Sequence, residues 1–175
     1  MMKRSFHTCV LAFGIISGLL IAHIAYRRHS EITARPPERE LRKPKEPMTF
    51  EDIMSLKQDD PTLVDFIRRE AIHLPSTEPY NLKNPDQKHF SEIGQSEYMD
   101  NQILHGQRNG FFIEVGAIDG EYLSNTLYFE RELGWTGLLI EPNTDTYQSL
   151  LLKNRKAYSV NAALSPIPYP TEIIF

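Results

Sequence analysis

The chain has 175 residues and a mass of 20.2 kDa, and its 41% hydrophobic and 24% charged content suits one globular domain with a tail. Residues 48–175 carry ten Lys/Arg against nineteen Asp/Glu, a balance of minus nine, which speaks against a nucleic-acid partner because phosphate binding requires a basic face. Cys9 is the only cysteine, which excludes an intrachain disulfide and a zinc site built from thiolates.

Residues 1–5 form a short tail with Lys3 and Arg4. Residues 6–26 are almost wholly apolar and contain no Asp, Glu, Lys or Arg. A helix rising about 1.5 Å per residue over that span matches the roughly 30 Å hydrocarbon core, so the segment reads as a single-pass transmembrane signal-anchor. A cleaved signal peptide competes, but the small-x-small pattern is poor around Ala22 and Ala25, where Leu20 and His23 stand at the upstream positions. His23 reads as an interfacial side chain and Cys9 as apolar filling, with palmitoylation as its alternative. Gly14 and Gly18 make a G-x-x-x-G through which a weak dimer could pack. Residues 27–47 hold seven Lys/Arg, four Glu and four Pro, the composition of a disordered basic stalk. That basic flank favours a cytosolic domain and Lys3 with Arg4 the reverse; counting prefers the cytosol.

Residues 48–110 read as a helical lead-in and strap. Asp60 as N-cap and Pro61 at the first helical position open a helix to about Ile72, with Leu63, Phe66, Ile67 and Leu74 near helical spacing. Pro75, Pro79 and Pro85 enforce an extended connection over 74–86 that straps across the domain. A second helix over 96–105 is expected to pack Tyr98, Ile103 and Leu104 on the core, and Gly106 and Gly110 bracket the turn that follows. His73, His89 and His105 show no ligand spacing, so no metal site is expected.

From Phe111 the pattern alternates: strand 111–115, helix 124–133, strand 137–140, helix 143–154, strand 157–163. This spells an α/β fold, a partial Rossmann-like parallel sheet with right-handed crossovers. Ser124 is the expected N-cap and Gly134 the expected C-terminal cap, with Leu123, Leu127, Tyr128 and Leu133 facing the sheet and Trp135 packing.

Two apolar strands end in acids, Glu114 and Glu141, and ligands of such sheets sit outside the carboxyl ends of the strands. Glu114-x-Gly116-x-x-x-Gly120 departs from the dinucleotide G-x-G-x-x-G: a carboxylate replaces the first glycine and the remaining spacing is longer. An acid there suits a cationic ligand portion such as an amino group, and Gly116 and Gly120 let backbone approach without a Cβ. Asp119 adds negative charge unfriendly to phosphate. Glu141 can accept both hydroxyls of a ribose, Pro142 stiffens the turn, and Asn161 from the third strand reaches the same edge and could meet an adenine. The bland alternative makes the acids solvated strand ends and the glycines turn formers; the two strand-end acids together favour a cofactor site.

The blocks Phe112-Ile113-Glu114-Val115-Gly116-Ala117-Ile118-Asp119-Gly120-Glu121, Leu123-Ser124-Asn125-Thr126-Leu127, Gly134-Trp135-Thr136-Gly137-Leu138-Leu139-Ile140-Glu141-Pro142-Asn143 and Asn161-Ala162-Ala163-Leu164-Ser165 resemble the FkbM-type methyltransferase domain. The resemblance implies a class I fold over 111–175 and S-adenosylmethionine as cofactor, at Glu114, Gly116, Ala117, Asp119, Gly120, Glu141, Pro142 and Asn161. A complete form would transfer a methyl group, to a hydroxyl; no general base is nameable. More narrowly, the apolar anchor, Pro75-Ser76-Thr77-Glu78-Pro79-Tyr80-Asn81-Leu82 and Asn109-Gly110-Phe111-Phe112 are similar to the Star-like membrane proteins. That branch implies a non-catalytic secretory-pathway role in the endoplasmic reticulum, Golgi or endosomal membranes: vesicle-mediated export of EGF-receptor ligands as membrane-protein cargo. It also implies a lumenal domain, against the charge count. The pattern departs from the family at Thr171-Glu172-Ile173-Ile174-Phe175, which resembles a strand only begun. The expectation is a truncated product with an open sheet edge and an uncovered face, inactive and poorly stable alone.

Overall fold

The computed structural model describes residues 49–171. The expected anchor at 6–26, the stalk at 27–47, the Gly14/Gly18 contact and the last four residues lie outside the described residues. Among the described residues no helix is long and apolar enough to cross a membrane. The described residues divide into two units, 49–70 with 164–171, and Ala71–Ala163.

In the first unit, α1 (Phe50–Ser55) opens on a capping box: the Thr49 hydroxyl oxygen accepts from the Asp52 N–H, and the Asp52 carboxylate accepts from the Thr49 N–H at 2.9 Å. Helix α2 (Pro61–Phe66) starts as the sequence predicts, with the Asp60 carboxylate accepting from the Thr62 N–H at 2.7 Å and Pro61 at the first position. A π-type turn, Ile67–Ala71, follows it. The Gln58 N–H donates to the Pro168 carbonyl at 3.0 Å and joins the two stretches of this unit.

The second unit is an α/β fold on a four-stranded mixed sheet in the order β1 (Ile72–His73), β4 (Tyr158–Val160), β3 (Thr136–Ile140), β2 (Phe111–Val115). Strands β2, β3 and β4 run parallel, and β1 pairs antiparallel with β4, Ile72 opposite Val160 and His73 opposite Ser159. A wholly parallel sheet is therefore corrected to a mixed one. The helical reading of 60–72 ran one residue too far: Ile72 leaves the turn to pair with β4, and a two-residue strand has no period to betray it.

Strand β2 alternates as a pleated strand must, Phe112 and Glu114 turned inward, Ile113 and Val115 outward at 42% and 40% exposure. Phe112 stands opposite Gly137, where a Cβ would lie 2.3 Å from the Phe112 ring, so glycine there is what admits the ring. Phe112 joins Ala117, Leu139, Tyr147, Leu150 and Ala157 in one core cluster, which ties β2 and β3 to α5 (Thr144–Leu151). Each such large side chain contributes about 1.5–3 kcal/mol by burial.

Helix α4 (Leu127–Leu133) begins three residues later than predicted, because Ser124 uses its hydroxyl oxygen in a turn ahead of the helix, accepting from the Leu127 N–H at 3.1 Å. Its Tyr128, Phe129 and Leu133 form a second cluster, with Met99, Leu104 and Trp135 packed against it. Leu127 is fully buried, whereas Leu123 sits part-buried in left-handed backbone at φ +55° and does not belong to the helix. Gly134 ends α4 as expected. Helix α3 (Gln95–Met99) and the π-type turn Asp100–Leu104 fill the second predicted helix. Leu104 packs, but Tyr98 and Ile103 are 63% and 55% exposed, so the stripe assigned to the core is broken by the wider turn.

The 74–86 segment is fastened by polar contacts. Ser76 and Asn81 donate their N–H groups to the carbonyls of Arg155 and Lys153, both at 3.0 Å, and the Asn154 amide donates to the Pro79 carbonyl at 2.9 Å.

Candidate functional site

Glu141 follows β3, and its side chain is only 6% exposed. One carboxylate oxygen, Oε2, accepts from the Ile118 N–H at 2.8 Å; Oε1 accepts from the Asn143 N–H at 2.9 Å and the Thr146 hydroxyl at 3.1 Å. Asn143 is the N-cap of α5 and receives the N–H groups of Asp145 and Thr146 at 3.0 Å. Asn161, just past β4, donates its amide to the carbonyls of Glu141 and Pro142 at 2.8 and 3.1 Å and accepts from the Thr144 hydroxyl at 3.2 Å. It braces the turn that carries Glu141 and Pro142.

The glycine loop meets the same place. Gly116 and Ala117 both donate to the Ile140 carbonyl, at 2.8 and 3.1 Å, which carries the loop across the end of β3 to Glu141. Gly116 (φ +73°) and Gly120 (φ +79°) need the left-handed region, and Ile118 adopts it at φ +52°, a strained choice for a β-branched residue. The two glycines differ in surroundings. A Cβ on Gly116 would meet nothing within 4 Å, whereas one on Gly120 would lie 3.1 Å from Leu150 Cγ and 3.4 Å from Arg155 Cγ. Open space therefore lies beside Gly116, and Gly120 is a packing glycine.

Asp119 turns back on its own loop, accepting from the N–H groups of Glu121 and Tyr122 at 2.9 and 2.7 Å, with the Lys153 ammonium 3.6 Å away. Burial works against its charge, but those N–H groups and Lys153 outweigh it and hold the carboxyl below its ordinary value.

Glu114 belongs to a separate cluster. Its carboxylate accepts from the Ser124 hydroxyl at 2.9 Å, the Asn125 N–H at 2.7 Å and, in a very short contact, the Thr126 hydroxyl. It is a clamp on the turn that begins α4, with 7% exposure left.

Sequence reasoning missed the counterpart of that clamp. The Arg155 guanidinium donates to the Gly120 carbonyl, to Thr126 Oγ1 at 3.2 Å and to Glu130 at 3.0 Å. Glu130 in turn accepts from the Tyr80 hydroxyl at 3.0 Å and the Lys156 N–H at 2.6 Å. Glu121 accepts from the N–H groups of Lys83 and Asn84 at 2.8 and 2.7 Å and from the Lys153 ammonium at 2.7 Å. The run Lys153-Asn154-Arg155-Lys156 in an otherwise acidic unit was the signal available for these partners. A further cluster joins the buried Tyr147 to the exposed His73 at 2.8 Å and to the buried Ser159 at 2.9 Å across the β1/β4 pair.

The arrangement at Glu141 can accept hydroxyl donors beside the Gly116–Gly120 loop. Among the described residues no group of His, Cys, Asp and Glu could hold a metal ion. Fold and site define an α/β unit in which the acids near the ends of β2 and β3 serve two separate clusters. No protein-family model, curated protein or solved structure matches the chain.

Proposed function

We propose that the α/β unit is the cofactor-binding part of an FkbM-type, class I methyltransferase-like protein held at a membrane by an N-terminal anchor, with S-adenosylmethionine as its ligand. The observation that carries the reading is the meeting of Glu141 with the Gly116–Gly120 loop at the carboxyl ends of adjacent parallel strands. Three donors occupy the Glu141 carboxylate, which offers about four acceptor positions, so it retains acceptor capacity toward a ribose. Gly116 leaves the space a ligand backbone contact requires. These residues fit the cofactor. Glu114, clamped on Ser124, Asn125 and Thr126, holds the turn that begins α4 and is not needed as a ligand to the amino group. Bound there, the cofactor would supply an electrophilic methyl group; this chain's own residues would orient the ribose through Glu141 and hold the end of the loop through the Arg155 contact with the Gly120 carbonyl.

A second reading, a non-catalytic Star-like trafficking role in the secretory pathway, draws on one observation: Glu114, Glu121, Glu130 and Asp119 all serve internal hydrogen bonds. Such acids need no ligand to explain them, and fold alone does not define function. Thermal melting of the full chain with and without S-adenosylmethionine tests the first reading. A rise in melting temperature that Glu141→Ala abolishes supports it; an unchanged melt favours the trafficking reading. An N-glycosylation acceptor introduced at 27–47 reports which side of the membrane the unit faces, lumenal for the trafficking role.

A further inference from the structure

The three donors on Glu141 are not equivalent. Two are backbone N–H groups, Ile118 on Oε2 at 2.8 Å and Asn143 on Oε1 at 2.9 Å, and their directions are set by the chain. The third is the Thr146 hydroxyl, which has one hydrogen and three acceptors in reach: Glu141 Oε1 at 3.1 Å, the Asn143 carbonyl at 3.0 Å and Asn143 Oδ1 at 3.2 Å. Asn143 Oδ1 already accepts two N–H groups, but the Asn143 carbonyl, which takes only the Tyr147 N–H at 2.9 Å, has a second acceptor position; turning the hydrogen to it exchanges a charge-assisted hydrogen bond for a neutral one of like length, at a modest cost.

A vicinal diol needs two acceptor positions, one on each carboxylate oxygen. With Ile118 alone on Oε2, one position is open there. On Oε1 the second position is filled while the Thr146 hydrogen points at it and open once it turns away.

We infer that Thr146 is a specificity-determining residue of this site: its hydroxyl caps Glu141 Oε1 and yields to one hydroxyl of a bound vicinal diol by turning to the Asn143 carbonyl. The inference rests on the cofactor reading above and adds to it an asymmetry. The hydroxyl that binds Oε2 displaces no protein donor, whereas the hydroxyl that binds Oε1 competes with Thr146 and contributes less. Thr146→Val keeps the shape of the side chain, removes the competitor and restores the full contribution of the second hydroxyl.

The test measures affinities of the full 175-residue chain for S-adenosylhomocysteine and its 2′-deoxy and 3′-deoxy forms, in the native sequence, Thr146→Val and Thr146→Ser. The expected result is that Thr146→Val raises discrimination against one of the two deoxy forms by about threefold and leaves the other ratio unchanged, while Thr146→Ser behaves as the native chain. If neither ratio moves, if both move together, or if discrimination falls, the inference is overturned and the cofactor reading stands. If the folded native chain binds no S-adenosylhomocysteine, the cofactor reading itself fails and the inference falls with it.

Discussion

Arg155 and Glu130 meet at 3.0 Å inside the α/β unit, with side chains 2% and 0% exposed. The pair is the junction of three segments: the guanidinium holds Gly120 and Thr126, and the carboxylate holds Tyr80 and Lys156. Among the described residues no buried side-chain nitrogen or oxygen lacks a partner, so each member of the junction depends on the others.

Removing one member leaves a buried charge without its counter-ion. Arg155→Met and Glu130→Leu are each expected to lose about 3–5 kcal/mol in urea denaturation, and the double replacement much less than their sum. Additive losses would show that the two side chains do not act as a pair.

The strap at 74–86 carries an acid dependence. Burial raises the Glu121 carboxyl, but Lys153 and the N–H groups of Lys83 and Asn84 outweigh it, and its value falls below the ordinary 4.5. A carboxyl depressed in the folded state stabilises it fully above the unfolded value and stops doing so as the pH drops through the folded one. The stability gap between the native chain and Glu121→Gln is therefore expected to be widest at pH values above the ordinary 4.5 and to narrow as the pH falls below it, through the lowered folded value. Urea denaturation at a series of pH values checks this; a gap independent of pH contradicts it.

Glu114 and Glu141 look alike in sequence and are expected to separate on mutation. Glu114→Ala removes the acceptor of Ser124, Asn125 and Thr126 and is expected to cost about 2–4 kcal/mol of stability while leaving affinity per folded molecule unchanged. Denaturation and ligand titration on the same preparation decide the point, and a loss of affinity without a loss of stability would return Glu114 to the ligand.

The glycine loop offers a parallel contrast. Gly116→Ala meets only the left-handed backbone and is expected to cost about 1 kcal/mol. Gly120→Ala adds a Cβ 3.1 Å from Leu150 Cγ and is expected to cost roughly 1–3 kcal/mol more, by thermal melting. Equal costs would mean that Leu150 and Arg155 move aside.

Strands β2 and β3 and the caps Asp60 and Gly134 were legible in the sequence because apolar runs and cap chemistry are local signals, whereas the N-cap expected at Ser124 falls to Thr126 and the cap at Asn143 was not read. Strand β1 was not, since Ile72 and His73 acquire their conformation from Val160 and Ser159, far along the chain. The positions of Gly116, Glu141 and Asn161 around one strand end followed from the strand pattern. What each carboxylate touches did not, because Glu114 chooses Ser124 and Thr126, and Glu130 chooses Arg155, only once the sheet brings them together. Thr146 escaped notice as an ordinary residue in the first turn of a helix.

Calorimetric titration of the full chain with S-adenosylmethionine, beside Glu141→Gln, tests the central claim most directly. Saturable binding by the native chain that falls at least tenfold in Glu141→Gln is the expected result, since the amide replaces one acceptor oxygen with a donor. No binding by a chain that still melts cooperatively, or equal binding by both proteins, would contradict a cofactor site at Glu141.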